Sequence, residues 1–162
     1  MEQTYAIELK NITKRFGKIV ANDGINLKVK RGEILSLLGE NGSGKTTLMN
    51  MISGIYFPDE GHILVDGKAV SIRSPKDSFD LGIGMIHQHF KLIDVMTAAE
   101  NIILGLKGNA VLDMKKVHKD IQELVDRYGF DLDPAQKVYT MSVSQKQTVE
   151  IVKMLYRGAN IL

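Results

Sequence analysis

The stretch Gly39-Glu40-Asn41-Gly42-Ser43-Gly44-Lys45-Thr46-Thr47 decides the fold of this 162-residue chain. It matches the pattern G-x-x-x-x-G-K-[ST] at every fixed position, and it lies between the apolar runs 34–38 and 48–52. Glycines in such a loop let several backbone N–H groups point inward, and the helix that follows directs its positive dipole end to the same place. The stretch therefore predicts a loop, between a buried strand and a helix, that holds a nucleoside triphosphate.

Two side chains of this loop are expected to contact the ligand. Lys45 can reach the terminal phosphates with its ammonium group, and the hydroxyl of Thr46 can ligate Mg²⁺. A chance match to four fixed positions has odds of about one in a hundred in a chain of this length. The apolar segments on both sides of the loop make a chance match less favoured still.

Composition limits the class of protein. The chain is 44% hydrophobic, which suits one globular domain with a sizeable core, and its charge of +2 comes from 21 basic and 19 acidic residues mixed along the sequence. Nucleic acid is disfavoured as a partner because no basic stripe is present. There are no cysteines, no signal-like start and no apolar run of membrane-spanning length, so we expect a cytoplasmic chain.

The first forty residues predict three strands. Alternating apolar residues at 5–9 and 25–29 indicate two half-buried, antiparallel strands, separated by the polar loop 11–18 and a turn at 22–24. The run 34–38 suits a strand that is covered on both faces. Phe16 stands alone in the polar loop; such an aromatic more often folds back onto the core, and the alternative is a stacking face for a flat ligand.

The middle of the chain predicts a hairpin and a polar strand end. Residues 62–70 indicate a hairpin around Asp66-Gly67, and Ser74-Pro75 can start a short helix to about residue 80. A strand at 83–88 would end at His87-Gln88-His89. The two histidines point the same way, so a metal pair is an alternative, but no third ligand follows at suitable spacing. The amide of Gln88 could ligate a cation or position a water.

The second half of the chain predicts helices. Thr97 and Glu100 form one capping box, and Ser142 and Gln145 form a second. Between them, apolar residues recur at three- and four-residue steps over 113–128, which indicates an amphipathic helix packed on a core.

With the loop, Gln88 and the Ser142-capped helix in place, the sequence resembles the nucleotide-binding subunit of ABC transporters over essentially its whole length. The segments 81–90 and 99–105 are especially similar to ATP-binding proteins of bacterial simple-sugar and nucleoside importers, and the sequence His-Gln-His-Phe at 87–90 looks more like the nucleoside branch. The resemblance implies an α/β P-loop NTPase fold with a mostly parallel sheet core, N-terminal antiparallel strands and a helical subdomain. The core would comprise 1–96 and 158–162, and the helical subdomain would comprise 97–157.

The resemblance also implies roles for single positions. Phe16 matches the aromatic that stacks on adenine, which reverses the preference for a core position. Residues 39–47 match the Walker A loop, with Thr46 at the Mg²⁺ position, and Gln88 matches the Q-loop glutamine beside the metal and the water. The signature motif, which the family presents across a dimer to the partner's ATP, corresponds to Ser142, Val143, Ser144 and Gln145.

The sequence departs from the family pattern at two places. Val143 and Ser144 replace two glycines of the signature, and Thr148 replaces a frequent arginine, so we interpret the signature as usable but altered. In the family, the strand that begins at 161–162 continues into the Walker B Asp and Glu, and a switch His follows; these lie outside the 162 residues. We therefore expect the fold to be incomplete and the intact protein to be an ATPase with ATP and Mg²⁺ as its ligands. This chain should bind nucleotide at most, with negligible hydrolysis.

The function implied is that of the energy-coupling subunit of an importer for nucleosides or simple sugars. Two ATP-binding domains would close on two ATP molecules and drive an integral membrane permease, so the subunit would be cytoplasmic and peripheral on the inner face of the membrane. Alternatives are an ABC-type ATPase acting on ribosomes or DNA, a P-loop kinase or GTPase, and a purely nucleotide-binding role. Balanced charge disfavours the first, and the sequence lacks the guanine-reading Asn-Lys-x-Asp of GTPases.

Overall fold

A computed structural model describes residues 5–87, 90–106 and 113–162. These residues form two compact units: the first holds residues 5–83 with Ile161, and the second holds the described residues of 84–160 with Leu162. Within these described ranges, no helix has both the length and the apolar character needed to span a bilayer.

The first unit is built on a four-stranded sheet of β1 (Tyr5–Phe16), β2 (Ile19–Lys30), β3 (Glu60–Val65) and β4 (Lys68–Val70). The strand order is β2-β1-β3-β4, and all three neighbouring pairs are antiparallel. The predicted N-terminal antiparallel pair and the predicted hairpin are therefore confirmed. Alternate residues of β1 and β3 face a core, because successive side chains of a strand point to opposite faces of a sheet.

Two helices belong to this unit: α1 (Lys45–Ile52), which begins directly after the loop, and α2 (Pro75–Asp80), whose Ser78 donates a hydrogen bond to the carbonyl oxygen of Ile52. Both helices were predicted at these positions, and Ser74 caps α2 by accepting a hydrogen bond from the Asp77 amide. The buried side chains that form the core of this unit are Ile7, Leu9, Ile12, Leu48, Met51, Ile52, Ile63, Val65, Ile72 and Ile83.

The polar stretch 11–18 is not a loop, contrary to the sequence prediction. Strand β1 continues to Phe16, the turn to β2 comprises only Gly17 and Lys18, and the expected turn at 22–24 lies inside β2. The hydrogen-bond ladder between β1 and β2 continues through this polar segment with an irregularity at Asn11. The backbone of Asn11 adopts a φ of 52°, and its side chain accepts a hydrogen bond from Asn26. This irregularity keeps the next residue, Ile12, fully buried in the core.

The run 34–38 is also not a strand, although its apolar character predicted one that is buried on both faces. Ile34 is 97% exposed and Leu38 is 93% exposed. No strand of the described ranges pairs with this run, and a central strand forms only when neighbours satisfy its backbone groups. Of the predicted strand 83–88, the described residues 83–87 form only one parallel bridge, between Ile83 and Ile161.

The second unit is helical and contains α3 (Ala98–Ile103), α4 (Met114–Tyr128), a 3-10 turn (Val138–Thr140) and α5 (Val143–Tyr156). Both predicted capping boxes are present, because the side chains of the cap and of the third helical residue each bond the other's backbone amide. The core of this unit consists of Ala98, Ala99, Ile102, Val117, Ile121, Val125, Leu132, Val138, Met141, Val149 and Val152.

Candidate functional site

The loop 39–44 joins the unpaired run 34–38 to α1. Gly42 and Gly44 both adopt a φ of 86°, a backbone conformation that costs a residue with a side chain about 1–2 kcal/mol. Gly44 stands at the N-cap position of α1, and no side chain caps the helix there. The first-turn amides of α1 thus have no side-chain cap, and anion binding at this helix start stays a prediction.

Lys45 already binds oxygens of its own loop. Its Nζ donates to the carbonyl oxygens of Gly39 at 2.8 Å and Glu40 at 2.7 Å, and to Oγ of Ser43 at 3.2 Å. The ammonium therefore lies across the concave side of the loop, surrounded by acceptors of the kind that phosphate oxygens could replace. Of the remaining loop residues, Glu40 and Asn41 are exposed.

Close contact with β2 explains why Gly44 must lack a side chain. A Cβ atom at this position would lie 2.3 Å from the carbonyl oxygen of Ala21 and 2.8 Å from Nδ2 of Asn22. The backbone of the loop can approach β2 only because the residue is glycine. The position of the loop thus depends on a strand that is distant in sequence.

Asn22 is a residue of this site that the sequence analysis assigned to a turn. It is 6% exposed, and its Nδ2 donates to the carbonyl oxygen of Gly44 at 3.3 Å, while its Oδ1 is buried without a hydrogen-bond partner in the described structure. The stretch Asn22-Asp23-Gly24 has the composition of a turn, so the sequence offered no signal for this contact. We infer that Asn22 fixes the last peptide of the loop.

We expect Asn22→Leu to separate stability from nucleotide affinity. The substitution removes an unsatisfied buried acceptor, so the free energy of unfolding should stay within about 1 kcal/mol or rise. Affinity for ATP should fall by up to about tenfold, because the Gly44 peptide loses its hydrogen bond. Thermal unfolding and equilibrium ATP binding measure the two quantities, and Lys30→Ala, an exposed change on the same strand, is the control. Equal affinities in both variants would contradict the role of Asn22.

The side chains near α1 could hold Mg²⁺ only if a bound phosphate and water supplied most of its oxygen ligands. Among residues 5–87, 90–106 and 113–162, no cluster of three or more His, Asp or Glu side chains could hold a metal ion. Thr46 is exposed on the first turn of α1 and offers one hard hydroxyl oxygen, and Thr47 is half-buried beside it. Phosphate oxygens and water would supply the other ligands. Gln88, the second predicted metal ligand, lies outside the described residues, as does His89 of the alternative histidine pair.

Phe16 lies at the tip of the β1–β2 hairpin and is 42% exposed, so its ring is not buried in the core. One side of the ring meets Tyr56, and Nζ of Lys14 lies 5.5 Å from its centroid. The exposure leaves ring surface available to a flat ligand. Stacking on adenine stays a prediction.

The predicted signature residues 142–145 lie in the second unit, at the start of α5. Oγ of Ser142 accepts from the Gln145 amide at 3.2 Å, and Oε1 of Gln145 accepts from the Ser142 amide at 3.0 Å. Val143 is 71% exposed, and Ser144 accepts a hydrogen bond from Thr148 through its carbonyl oxygen. The turn is locally rigid and presents an exposed helix N-terminus.

Comparison with known sequences gives consistent matches. A family profile described as "ABC transporter" matches residues 22–162. The chain is 53% identical to the guanosine import ATP-binding protein NupO of Bacillus subtilis (strain 168) over 98% of this chain and 31% of that protein. It is 51% identical to the nucleoside import ATP-binding protein NupA of Lactococcus lactis subsp. cremoris (strain MG1363) over 100% of this chain and 32% of that protein. The chain thus spans about a third of the length of these relatives.

Solved structures agree with the predicted fold class. The ADP conformation of MJ1267, an ATP-binding cassette of an ABC transporter, superposes with a TM-score of 0.83 at 26% identity, over 96% of this chain and 66% of that one. The dimeric structure of MJ0796, a bacterial ABC transporter cassette, gives a TM-score of 0.70 at 29% identity, over 93% of this chain and 69% of that one. The predicted P-loop α/β fold class is confirmed.

Proposed function

The chain belongs to the ABC transporter family, and from this premise we propose that it is part of the ATP-binding, energy-coupling subunit of a nucleoside importer. The observation that carries the proposal is the loop 39–47, in which the Lys45 ammonium and the uncapped start of α1 both face one concave surface. The cargo class is supported by the names of relatives at 53% and 51% identity, compared with 41% for a ribose import ATP-binding protein.

In this proposal, ATP binds with its phosphates along the loop. The ammonium of Lys45 exchanges the carbonyl oxygens of its own loop for phosphate oxygens, and the first-turn amides of α1 donate to the same chain. Thr46 would hold Mg²⁺ together with Gln88, and the ion, when bound, neutralises charge on the phosphates. Phe16 provides the face on which the adenine ring stacks.

We further propose that the turn 142–145 contacts the ATP of a second ATP-binding domain. The exposed N-terminus of α5 supports this role, because its amides and the Ser142 hydroxyl can interact with a phosphate that arrives from outside. The second unit would then be the helical subdomain that carries the signature. A dimeric cassette among the related structures is consistent with such pairing.

The remaining partner in the proposal is an integral membrane permease. Residues near Gln88 would transmit closure of the ATP-binding domains to the permease, which places the subunit on the cytoplasmic face of the membrane. ATP hydrolysis by the intact protein would reset the closed state and so drive net import.

Uptake measurements test this proposal. Cells that lack the gene are complemented with the full-length protein or its Lys45→Ala variant, and uptake of labelled guanosine and labelled ribose is measured. The full-length protein should restore guanosine uptake, and Lys45→Ala should not, because the variant removes the phosphate-binding charge. Lys68→Ala, which removes an exposed lysine of β4, is the matched control and should behave as the wild type.

Two other outcomes have distinct meanings. Restored ribose uptake without guanosine uptake would contradict the nucleoside cargo and retain the role in import. Loss of ATP binding in Lys45→Ala with no change in uptake of either solute would contradict the importer itself.

A further inference from the structure

Tyr56 contacts Phe16 at the surface of the first unit. The centroids of the two rings lie 5.2 Å apart and their planes meet at 73°, which is an edge-to-face pair. Tyr56 is 37% exposed and Phe16 is 42% exposed. The contact is therefore a specific pairing of two surface rings, in which the positive edge of one faces the negative face of the other.

Tyr56 is also attached to the phosphate-binding helix. The backbone amides of Ile55 and Tyr56 both donate to the carbonyl oxygen of Asn50 in α1, at 2.8 Å and 3.1 Å. The same helix begins at Lys45, where the phosphates are proposed to bind. Helix α1 thus connects the predicted phosphate contacts at its start with Tyr56, which lies just beyond its end and pairs with Phe16.

Asp59 fixes the strand that carries Phe16. Its carboxylate accepts from Nζ of Lys14 at 2.9 Å and from the amide of Arg15 at 2.6 Å, and its own amide donates to the carbonyl oxygen of Thr13 at 2.8 Å. The Arg15 amide and then Lys14 lower the pKa of Asp59, so the carboxylate is ionised at neutral pH. The three residues before Phe16 are all tied to the segment that follows α1.

The hairpin tip is connected to the loop through β2 as well. Lys14 of β1 pairs with Asn22 of β2, and Asn22 contacts Gly44 of the loop. Phe16 lies two residues beyond Lys14, which is roughly 7 Å along the strand. The backbone of Phe16 thus lies only two strand residues from the position that pairs with Asn22.

We propose that Tyr56 and Asp59 are positioning residues that orient the Phe16 ring for stacking on the base of the bound nucleotide. The inference rests on the proposed function, since it requires a nucleotide at the loop. Tyr56 and Asp59 act through Phe16 and leave the phosphate contacts unchanged. They should therefore control affinity for the base and have no influence on affinity for the phosphates.

The test measures equilibrium binding of ATP and of inorganic tripolyphosphate to the full-length protein. Binding that persists in the Lys45→Ala variant is subtracted as nonspecific. Tyr56→Ala should weaken ATP binding about two- to tenfold and leave tripolyphosphate unchanged. Tyr56→Phe keeps the ring and should bind ATP with the affinity of the wild type. Asp59→Ala should follow the pattern of Tyr56→Ala.

A double-mutant cycle separates positioning from a direct effect. In the Phe16→Ala background, adding Tyr56→Ala should cause no further loss of ATP affinity, because residues that act through a common partner are not additive. The matched control is Tyr128→Ala, which removes another exposed tyrosine that stacks on a phenylalanine, Phe130 at 5.9 Å. This control should leave ATP affinity unchanged.

The alternatives are distinguishable. Additive losses for Phe16 and Tyr56, equal losses for ATP and tripolyphosphate, or unchanged ATP affinity in Phe16→Ala would each overturn the positioning role while leaving the phosphate site intact. Retention of both ligands by Lys45→Ala would instead overturn the proposed function.

Discussion

Gly44→Ala should lower the affinity for ATP by at least about 100-fold. The residue has a φ of 86°, and a Cβ atom would lie 2.3 Å from the backbone oxygen of Ala21. The strain of the left-handed backbone costs about 1–2 kcal/mol, and relief of the clash requires the loop to move away from β2. Because the displaced peptide adjoins the first amides of α1, the expected loss falls mainly on phosphate binding. Equilibrium ATP binding to the full-length protein measures it, with thermal unfolding as a check on the fold.

Gly42→Ala is the matched control, since Gly42 has the same φ of 86° but no atom within 4 Å of an added Cβ. This variant should have the backbone strain alone, which limits its loss of affinity to about 5- to 30-fold. Equal losses in the two variants would show that the approach to β2 is unimportant.

Asn101→Ala should destabilise the full-length protein by about 3 kcal/mol. Asn101 is 1% exposed; its Oδ1 accepts from the amide of Ile93 at 2.7 Å, and its Nδ2 donates to the carbonyl oxygens of Ile93 and Thr97, both at 3.0 Å. The substitution leaves these backbone groups unpaired, and each buried group without a partner costs about 1–3 kcal/mol. Urea denaturation followed by circular dichroism measures the change in midpoint at constant slope.

Two further variants control this prediction. Asn101→Asp keeps the size of the side chain but directs a carboxylate at two carbonyl oxygens, so its loss should equal or exceed that of alanine. Asn160→Ala changes an exposed asparagine and should stay within about 0.5 kcal/mol of the wild type. A loss below about 1 kcal/mol for Asn101→Ala would contradict the structural role.

The helices and their starts could be predicted because their signals are local. Thr97 with Glu100, and Ser142 with Gln145, each place the cap and the third helical residue within one turn, so four consecutive residues specify the geometry. The start of α1 at Lys45, directly after the glycine-rich loop, could be predicted for the same reason.

Features that depend on distant neighbours could not be predicted. The apolar run 34–38 indicated a strand, but strand formation depends on a pairing partner rather than on the run itself. The polar stretch after residue 10 indicated a loop, yet bonds to Asn26 and Asp59 hold it in β1. The contacts of Asn22 with Gly44 are likewise made across 22 positions of sequence.

The three hydrogen bonds that Lys45 makes within its loop bear on how fast a ligand can bind. Its ammonium donates to Gly39, Glu40 and Ser43, so in the proposed site an arriving phosphate would exchange partners with oxygens that are already bonded. We therefore expect binding in two steps, in which a loose encounter is followed by rearrangement of the loop. The favourable enthalpy of the final contacts would be partly offset by the bonds that are broken, and reversal of the same exchange would let the proposed ligand leave.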